Sequence, residues 1–322
     1  MPRARPPASR PRGASERGAR SARRTRARRR RAALVAALVA SVALVALLAD
    51  GGSSTRRRNA VVASAGAPRR GSGRAAGTVR TGGAGTSAGG ESSEIRRLIA
   101  LGQPIYCAGR RGDEVALTFD DGPGPYTKLV LAKLRKHGVG ATFFIVGRNI
   151  TLVPGVTRAE RSIGAVGDHT FTHPQLTSIA PSEAERQIVE TQSALERSSG
   201  GRVFLFRPPY GAHDARIDSI ARAHGLLEIL WTVDSADSLG ANYAQIERNV
   251  ISGLHPGAII LMHENHGQTV RALLAIFAAL QRRHLRAVSV PQLLRDDPPS
   301  QAQLRNPGGG CGVSASSRLG GD

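Results

Sequence analysis

Two adjacent carboxylates close an apolar run in the hexapeptide Thr118-Phe119-Asp120-Asp121-Gly122-Pro123. On a regular strand, neighbouring side chains point to opposite faces. Two acids that serve one site must therefore sit where the strand breaks, and Gly122-Pro123 supplies a break. Two negative charges side by side require a cation or hydrogen-bond donors to offset them. A second element, His169-Thr170-Phe171-Thr172-His173-Pro174, places two imidazoles four residues apart. That spacing puts both rings on one face if the segment makes a helical turn, which Pro174 would end. Two neutral imidazoles with one carboxylate are a common catalytic zinc set that leaves a position for water. Asp121 is the natural third ligand beside His169 and His173. An isolated H-x-x-x-H pattern is more often incidental, but beside a carboxylate doublet at a strand end it is a strong signal.

The elements that must position these groups follow from hydrophobic patterning. Residues 114–119, 141–146, 203–206, 226–233, 258–262 and 287–290 read as strands, with a further short strand before Asp168. Helices are expected over 125–137, 156–163, 182–198, 214–224, 243–251 and 269–283. Ser182 and Glu185 fit a capping box, Asp214 an N-cap, and Gly138 and Gly225 helix stops. About seven strands alternating with helices in roughly 200 residues predict an α/β fold. It should be a single domain forming a closed or partly closed α/β barrel. In such barrels the chemistry sits at the C-terminal strand ends, where Asp120-Asp121, Arg207, Asp234 and His263 fall.

Five segments then resemble, in order, the motifs of polysaccharide deacetylases of carbohydrate esterase family 4, the NodB-homology group. They are TFDDGP (118–123), HTFTH (169–173), RPPYG (207–211), DSAD (234–237) and LMH (261–263). The resemblance covers roughly residues 113–295. It implies a distorted (β/α) barrel and a hydrolase that removes N-acetyl groups from N-acetylglucosamine in a polymer. A divalent metal would be bound by Asp121, His169 and His173, zinc first and cobalt as a second choice. The resemblance makes Asp120 the general base and Arg207 the partner that keeps it ionised. The backbone N–H of Tyr210 becomes an oxyanion donor, the first available after Arg207 because Pro208 and Pro209 have none. His263 becomes the general acid, oriented by Asp237, and Leu261, with Trp231 a weaker choice, lines the acetyl-methyl pocket. Asp234 is as readily a loop-orienting residue as a chemical one.

Two departures stand out. Ser238 occupies the place of a tryptophan that usually walls the substrate groove, and Asp168 replaces the usual asparagine before His169. Asp168 either orients a ligand histidine or caps the turn. His213, His224, His255, His266 and His284 match no motif and are expected to be structural or on the surface. Peptidoglycan is the first substrate expected and chitin oligosaccharide the next. A xylan O-acetyl esterase on the same site and a non-catalytic glycan-binding module are the competing readings.

The formal net charge of +21 is concentrated at the N-terminus. Residues 1–31 carry 13 Arg and one acid, Glu16, whereas residues 96–299 carry 23 Lys and Arg against 19 Asp and Glu. The Arg run has no interleaved aromatic residues, which argues against nucleic-acid binding. It precedes an uncharged run of 18 residues, 32–49. That pair predicts an Arg-rich cytoplasmic tail and a signal anchor, or a signal peptide, with the remainder at the cell membrane facing outward or secreted. Residues 50–94 read as a disordered linker and 298–322 as a flexible tail, leaving 95–297 for the domain. The two cysteines, Cys107 and Cys311, flank that domain. In an exported protein they suggest a disulfide, with two free thiols as the alternative.

Overall fold

The structure is a computed structural model that describes residues 92–312. The expected tail, anchor segment and nearly all of the expected linker lie outside those residues. Among the described residues, no helix is long and apolar enough to cross a membrane.

The chain alternates strands and helices around one parallel sheet. Helix α1 (Ser93–Leu101) leads into β1 (Glu114–Gly122), α2 (Thr127–His137), β2 (Thr142–Ile145), α3 (Val156–Arg161) and β3 (Ala165–Asp168). Then come α4 (Pro181–Ser199), β4 (Leu205–Phe206), α5 (Ala215–Ala223), β5 (Leu227–Glu228) and β6 (Val233–Asp234). The domain continues through α6 (Tyr243–Gly253), β7 (Ile259–His263), α7 (Gly267–Arg282), β8 (Arg286–Val288) and α8 (Val290–Asp296). The sheet has eight strands in the order β5-β4-β3-β2-β1-β7-β6, with β8 also paired to β1. Every named strand pair is parallel, so all C-terminal strand ends lie on one side. The expected partly closed (β/α) barrel is present.

Strand β1 is its centre, and its alternation divides the core. Val115, Leu117 and Phe119 belong to the cluster built with Val130, Leu131, Leu134, Leu273 and Phe277 of the flanking helices α2 and α7. Ala116 belongs to the other cluster, with Ile95 and Leu98 of α1 and Leu293 and Leu294 of α8. The period of two thus sends Ala116, Thr118 and Asp120 to the face opposite α2 and α7.

Three expectations require correction. Residues 226–233 do not form one strand. β5 ends one edge of the sheet and β6 the other, and residues 229–232 cross between them. The carbonyls of Ile229 and Leu230 are taken by the Arg207 side chain rather than by a neighbouring strand. The capping box at Ser182 is not formed: α4 starts one residue earlier with Pro181 in its first turn and no side-chain cap, and Glu185 pairs instead with His224 Nε2 at 2.7 Å. Finally, the fold does not stop at residue 297. Short helices α9 (Gln301–Arg305) and α10 (Pro307–Gly310) follow, and Cys311 is bonded to Cys107 across 204 residues. The disulfide closes most of the domain into a loop. The double variant C107S/C311S is therefore expected to lose about 2–4 kcal/mol of stability in denaturant titrations.

Candidate active site

The carboxylate doublet does not lie where β1 ends. The strand runs on to Gly122, and its pairing with β2 slips between Asp120 and Gly122, so that Asp121 is an extra, bulged residue. Asp121 has φ 69°, in the left-handed region, and Asn149 Nδ2 donates to its carbonyl at 3.0 Å. The bulge cancels the alternation and lets two neighbouring carboxylates serve one site. Gly122 is required for packing: a Cβ there would fall on the Glu264 carboxyl group. Glu264 and Glu160 form a buried acid pair beneath the doublet, and burial pushes both carboxyls up.

The two histidines meet Asp121, although not through a helical turn. Residues 169–173 are a loop in which Thr170 and His173 take φ 63° and 65°. Asp168 Oδ1 accepts from Thr170 N–H at 2.7 Å, so this aspartate caps the turn and does not orient a ligand histidine. His169 Nδ1–H donates to the Arg207 carbonyl at 2.7 Å, which turns Nε2 toward the acids. Nε2 of His169 and of His173 stand 3.7 Å and 3.3 Å from Asp121 Oδ1. Burial and the neighbouring His169 push His173 down to about 4, so it is neutral at physiological pH. Burial resists ionisation of Asp121, but His169, His263, His173 and the Asn265 amide outweigh it and hold its carboxyl below the usual value. Oδ1 of Asp121 is buried and accepts no hydrogen bond, whereas Oδ2 accepts from Asn265 Nδ2 at 3.2 Å. A buried carboxylate oxygen without a donor, facing the Nε2 atoms of two imidazoles, fits a divalent cation.

Asp120 is held apart from this set. Its Oδ1 accepts from Arg207 Nη1 at 2.7 Å, and its Oδ2 lies 3.7 Å from His169 Nε2. Arg207 is fully buried at the end of β4, with its guanidinium over the Phe144 ring at 4.1 Å. It spends its remaining donors on Thr118 Oγ1, Ile229 O and Leu230 O. The charge is thus fixed in one orientation by a fork of donors.

His263 ends β7 directly opposite Asp120 in the β1–β7 register. Its Nδ1–H donates to Asp237 Oδ1 at 2.6 Å, and its backbone N–H donates to Asp237 Oδ2 at 2.8 Å. Burial disfavours the imidazolium, but the Asp237 hydrogen bond and charge, with Asp120 and Asp121 behind them, raise it to about 9. Asp234 accepts from Ala236 N–H at 2.7 Å and shapes the loop, the structural alternative expected for it.

The structure therefore brings Asp120, Asp121, His169, His173, Arg207, Asp237 and His263 together. Tyr210 joins them through its ring, 4.9 Å from that of His173, and its φ of 63° turns the backbone of the loop. Leu261 is buried on β7, two residues before His263. Trp231 packs beneath the Tyr210 loop, where a Cβ on Gly211 would meet its ring, and beside the Arg207 guanidinium at 5.6 Å. Ser238 is exposed beside Leu239, which is 81% exposed.

Four participants escaped the sequence reading. Thr118 and Thr269 donate or accept around Arg207 and Asp237, Asn265 orients Asp121, and Glu264 packs under Gly122. Thr118 alone had a signal, two residues before Asp120 on the same strand face.

A parallel half-barrel with these groups at its C-terminal strand ends defines the polysaccharide deacetylase class. The chain belongs to that family, carbohydrate esterase family 4, whose profile matches residues 108–229. A peptidoglycan-N-acetylglucosamine deacetylase of Bacillus cereus is 35% identical over 188 residues, 56% of this chain and 68% of that protein. A chitooligosaccharide deacetylase of Azorhizobium caulinodans is 35% identical over 203 residues, 58% of this chain and 96% of that protein. A crystal structure of a peptidoglycan N-acetylglucosamine deacetylase matches with TM-score 0.58 at 32% identity, covering 61% of this chain and 95% of that one. The chain spans only 38% of a Listeria monocytogenes peptidoglycan-N-acetylglucosamine deacetylase that is 37% identical over 181 residues.

Proposed function

We propose that this polysaccharide deacetylase is a metal-dependent hydrolase that removes N-acetyl groups from N-acetylglucosamine residues of an extracellular glycan, peptidoglycan first. The observation that carries the reading is the division of the doublet. Asp121 faces Nε2 of both His169 and His173, while Asp120 is clamped by Arg207 and looks across at the His263–Asp237 pair. Asp121, His169 and His173 would hold the metal, zinc by the donor set. A bound divalent cation supplies Lewis acidity toward water and the acetyl carbonyl.

The chain's own groups supply the proton transfers. Asp120 takes a proton from the attacking water as its oxygen bonds to the acetyl carbon. Arg207 holds Asp120 aimed through the hydrogen bond from Nη1 to Oδ1. The Tyr210 N–H is offered to the carbonyl oxygen as negative charge develops on it. The carbon–nitrogen bond then breaks, and His263, charged through Asp237, gives its Nε2 proton to the departing nitrogen. The products are acetate and the free amine. Leu261 and the residues around it give the acetyl methyl an apolar wall.

The basic tail and apolar segment of residues 1–49 support export and anchoring, which would bring the domain to cell-wall glycan. The chitooligosaccharide relative keeps chitin oligomers as the second candidate substrate. Acetate release by the full chain from peptidoglycan, chitin oligosaccharide and acetylated xylan tests the proposal. Release from the first two is expected. Release from xylan alone would replace the amidase reading with an esterase, and release from none would leave a glycan-binding module.

A further inference from the structure

The connection that carries Tyr210 also carries His213, which the catalytic arrangement does not use. We infer that His213, Asp218 and Glu228 form a second divalent-cation site, distinct from the one at the doublet. His213 lies between β4 and α5, Asp218 on α5 and Glu228 on the edge strand β5.

The geometry is that of a ligand set. Ligand atoms of the three residues lie within 4.8 Å of one another. His213 Nδ1 is hydrogen-bonded to Asp218 Oδ1 at 3.0 Å, a contact a bound ion would replace, and stands 3.6 Å from Glu228 Oε1. Zinc bonds of about 2.0–2.2 Å in a tetrahedron set ligand separations near 3.4 Å. The pairs at the doublet, 3.3 Å and 3.7 Å, bracket the same value. The other ring nitrogen of His213, Nε2, faces the Tyr106 hydroxyl at 3.3 Å. A ligating imidazole needs such a partner for its remaining N–H.

Glu228 points independently to a ligand. Its side chain is 3% exposed, and neither carboxylate oxygen accepts a hydrogen bond. Burial pushes it up to about 8, against the attraction of His213 and with the repulsion of Asp218 and a proton shared with that carboxyl. A charged His213 offsets only one of the two carboxylates, whereas a dication offsets both. The side chains of His213 and Asp218 are 24% and 20% exposed, so an ion can enter from solvent. One imidazole and two carboxylates suit a borderline divalent ion such as zinc, with water completing the shell. Bound there, it would tie α5 and β5 to the connection that presents Tyr210. This inference does not depend on the deacetylase chemistry.

The test is zinc stoichiometry in the full chain, stripped with chelator, re-equilibrated at micromolar free zinc, desalted and counted by mass spectrometry. Two equivalents are expected in the wild type, one in Asp121→Asn, one in Glu228→Gln or His213→Ala, and none in Asp121→Asn/Glu228→Gln. Zinc should also raise the melting temperature of Asp121→Asn by about 5–10 °C and leave the double variant unmoved. If the wild type holds one zinc that Glu228→Gln keeps and Asp121→Asn loses, with no melting shift in Asp121→Asn, the second site does not exist. If instead the single zinc survives in Asp121→Asn and is lost in Glu228→Gln, the second site stands and the ligand set at the doublet falls.

Discussion

Asp120→Asn is expected to retain the zinc equivalent at the doublet and to release acetate about 10³-fold more slowly, within the range that positioned general bases contribute. Asparagine keeps an oxygen for Arg207 Nη1, so the clamp at 2.7 Å survives while the proton acceptor is lost. Asp121→Asn is expected to behave differently. Its Oδ1 is the buried oxygen that faces both imidazoles and has no donor. Without that charge, zinc affinity should fall by more than the roughly 100-fold cost of removing an outer-shell partner, and turnover should fall with it. Metal counting and acetate release on the same preparations read the two variants. Retention of the doublet's zinc equivalent in both variants, or its loss in both, would mean that the adjacent acids are not divided as the bulge at Asp121 divides them.

The second large effect concerns His263. An amide nitrogen leaves only when protonated, whereas an aryl oxide leaves readily as the anion. His263→Ala should therefore lose about 10²–10⁴-fold on N-acetylglucosamine oligomers and far less on an activated aryl acetate. Equal losses on both substrates would remove His263 from the role of acid. The same residue sets an alkaline limb. It acts only while protonated, and in the wild type it is raised to about 9. Activity should thus hold through neutrality and fall as pH rises through about 9. Asp237→Asn removes the carboxylate charge that helps to raise His263, so the limb should move to lower pH. A limb left in place by Asp237→Asn would assign it to another group.

The chemistry was more legible in the sequence than the backbone that delivers it. Asp120-Asp121 and the paired histidines announce their chemistry by residue type. The elements around them follow from periodicity, because β1 alternates between two core clusters. What could not be read is how neighbours reach one site. The sequence suggested a strand break at Gly122-Pro123 and a helical turn at 169–173. The fold instead uses left-handed residues, Asp121, Thr170 and His173, whose φ values are fixed by tertiary contacts rather than by local preference. The split of 226–233 was hidden for the same reason. An apolar run says that it is buried, but not that a buried arginine takes up its carbonyls. Thr269 and Asn265 lie outside the motifs, and their contacts depend on strands far apart in sequence. Glu228 looked like an ordinary acid within an apolar stretch, and only the placement of His213 and Asp218 gives it a context.

The central claim is that a cation held by Asp121, His169 and His173 is required for acetate release. The most direct measurement is acetate release from N-acetylglucosamine oligomers by the full chain, before chelation, after it, and after zinc is restored. Activity should disappear with the metal and return with zinc in the wild type, but not in Asp121→Asn. Undiminished release from chelated, metal-free protein would contradict the account.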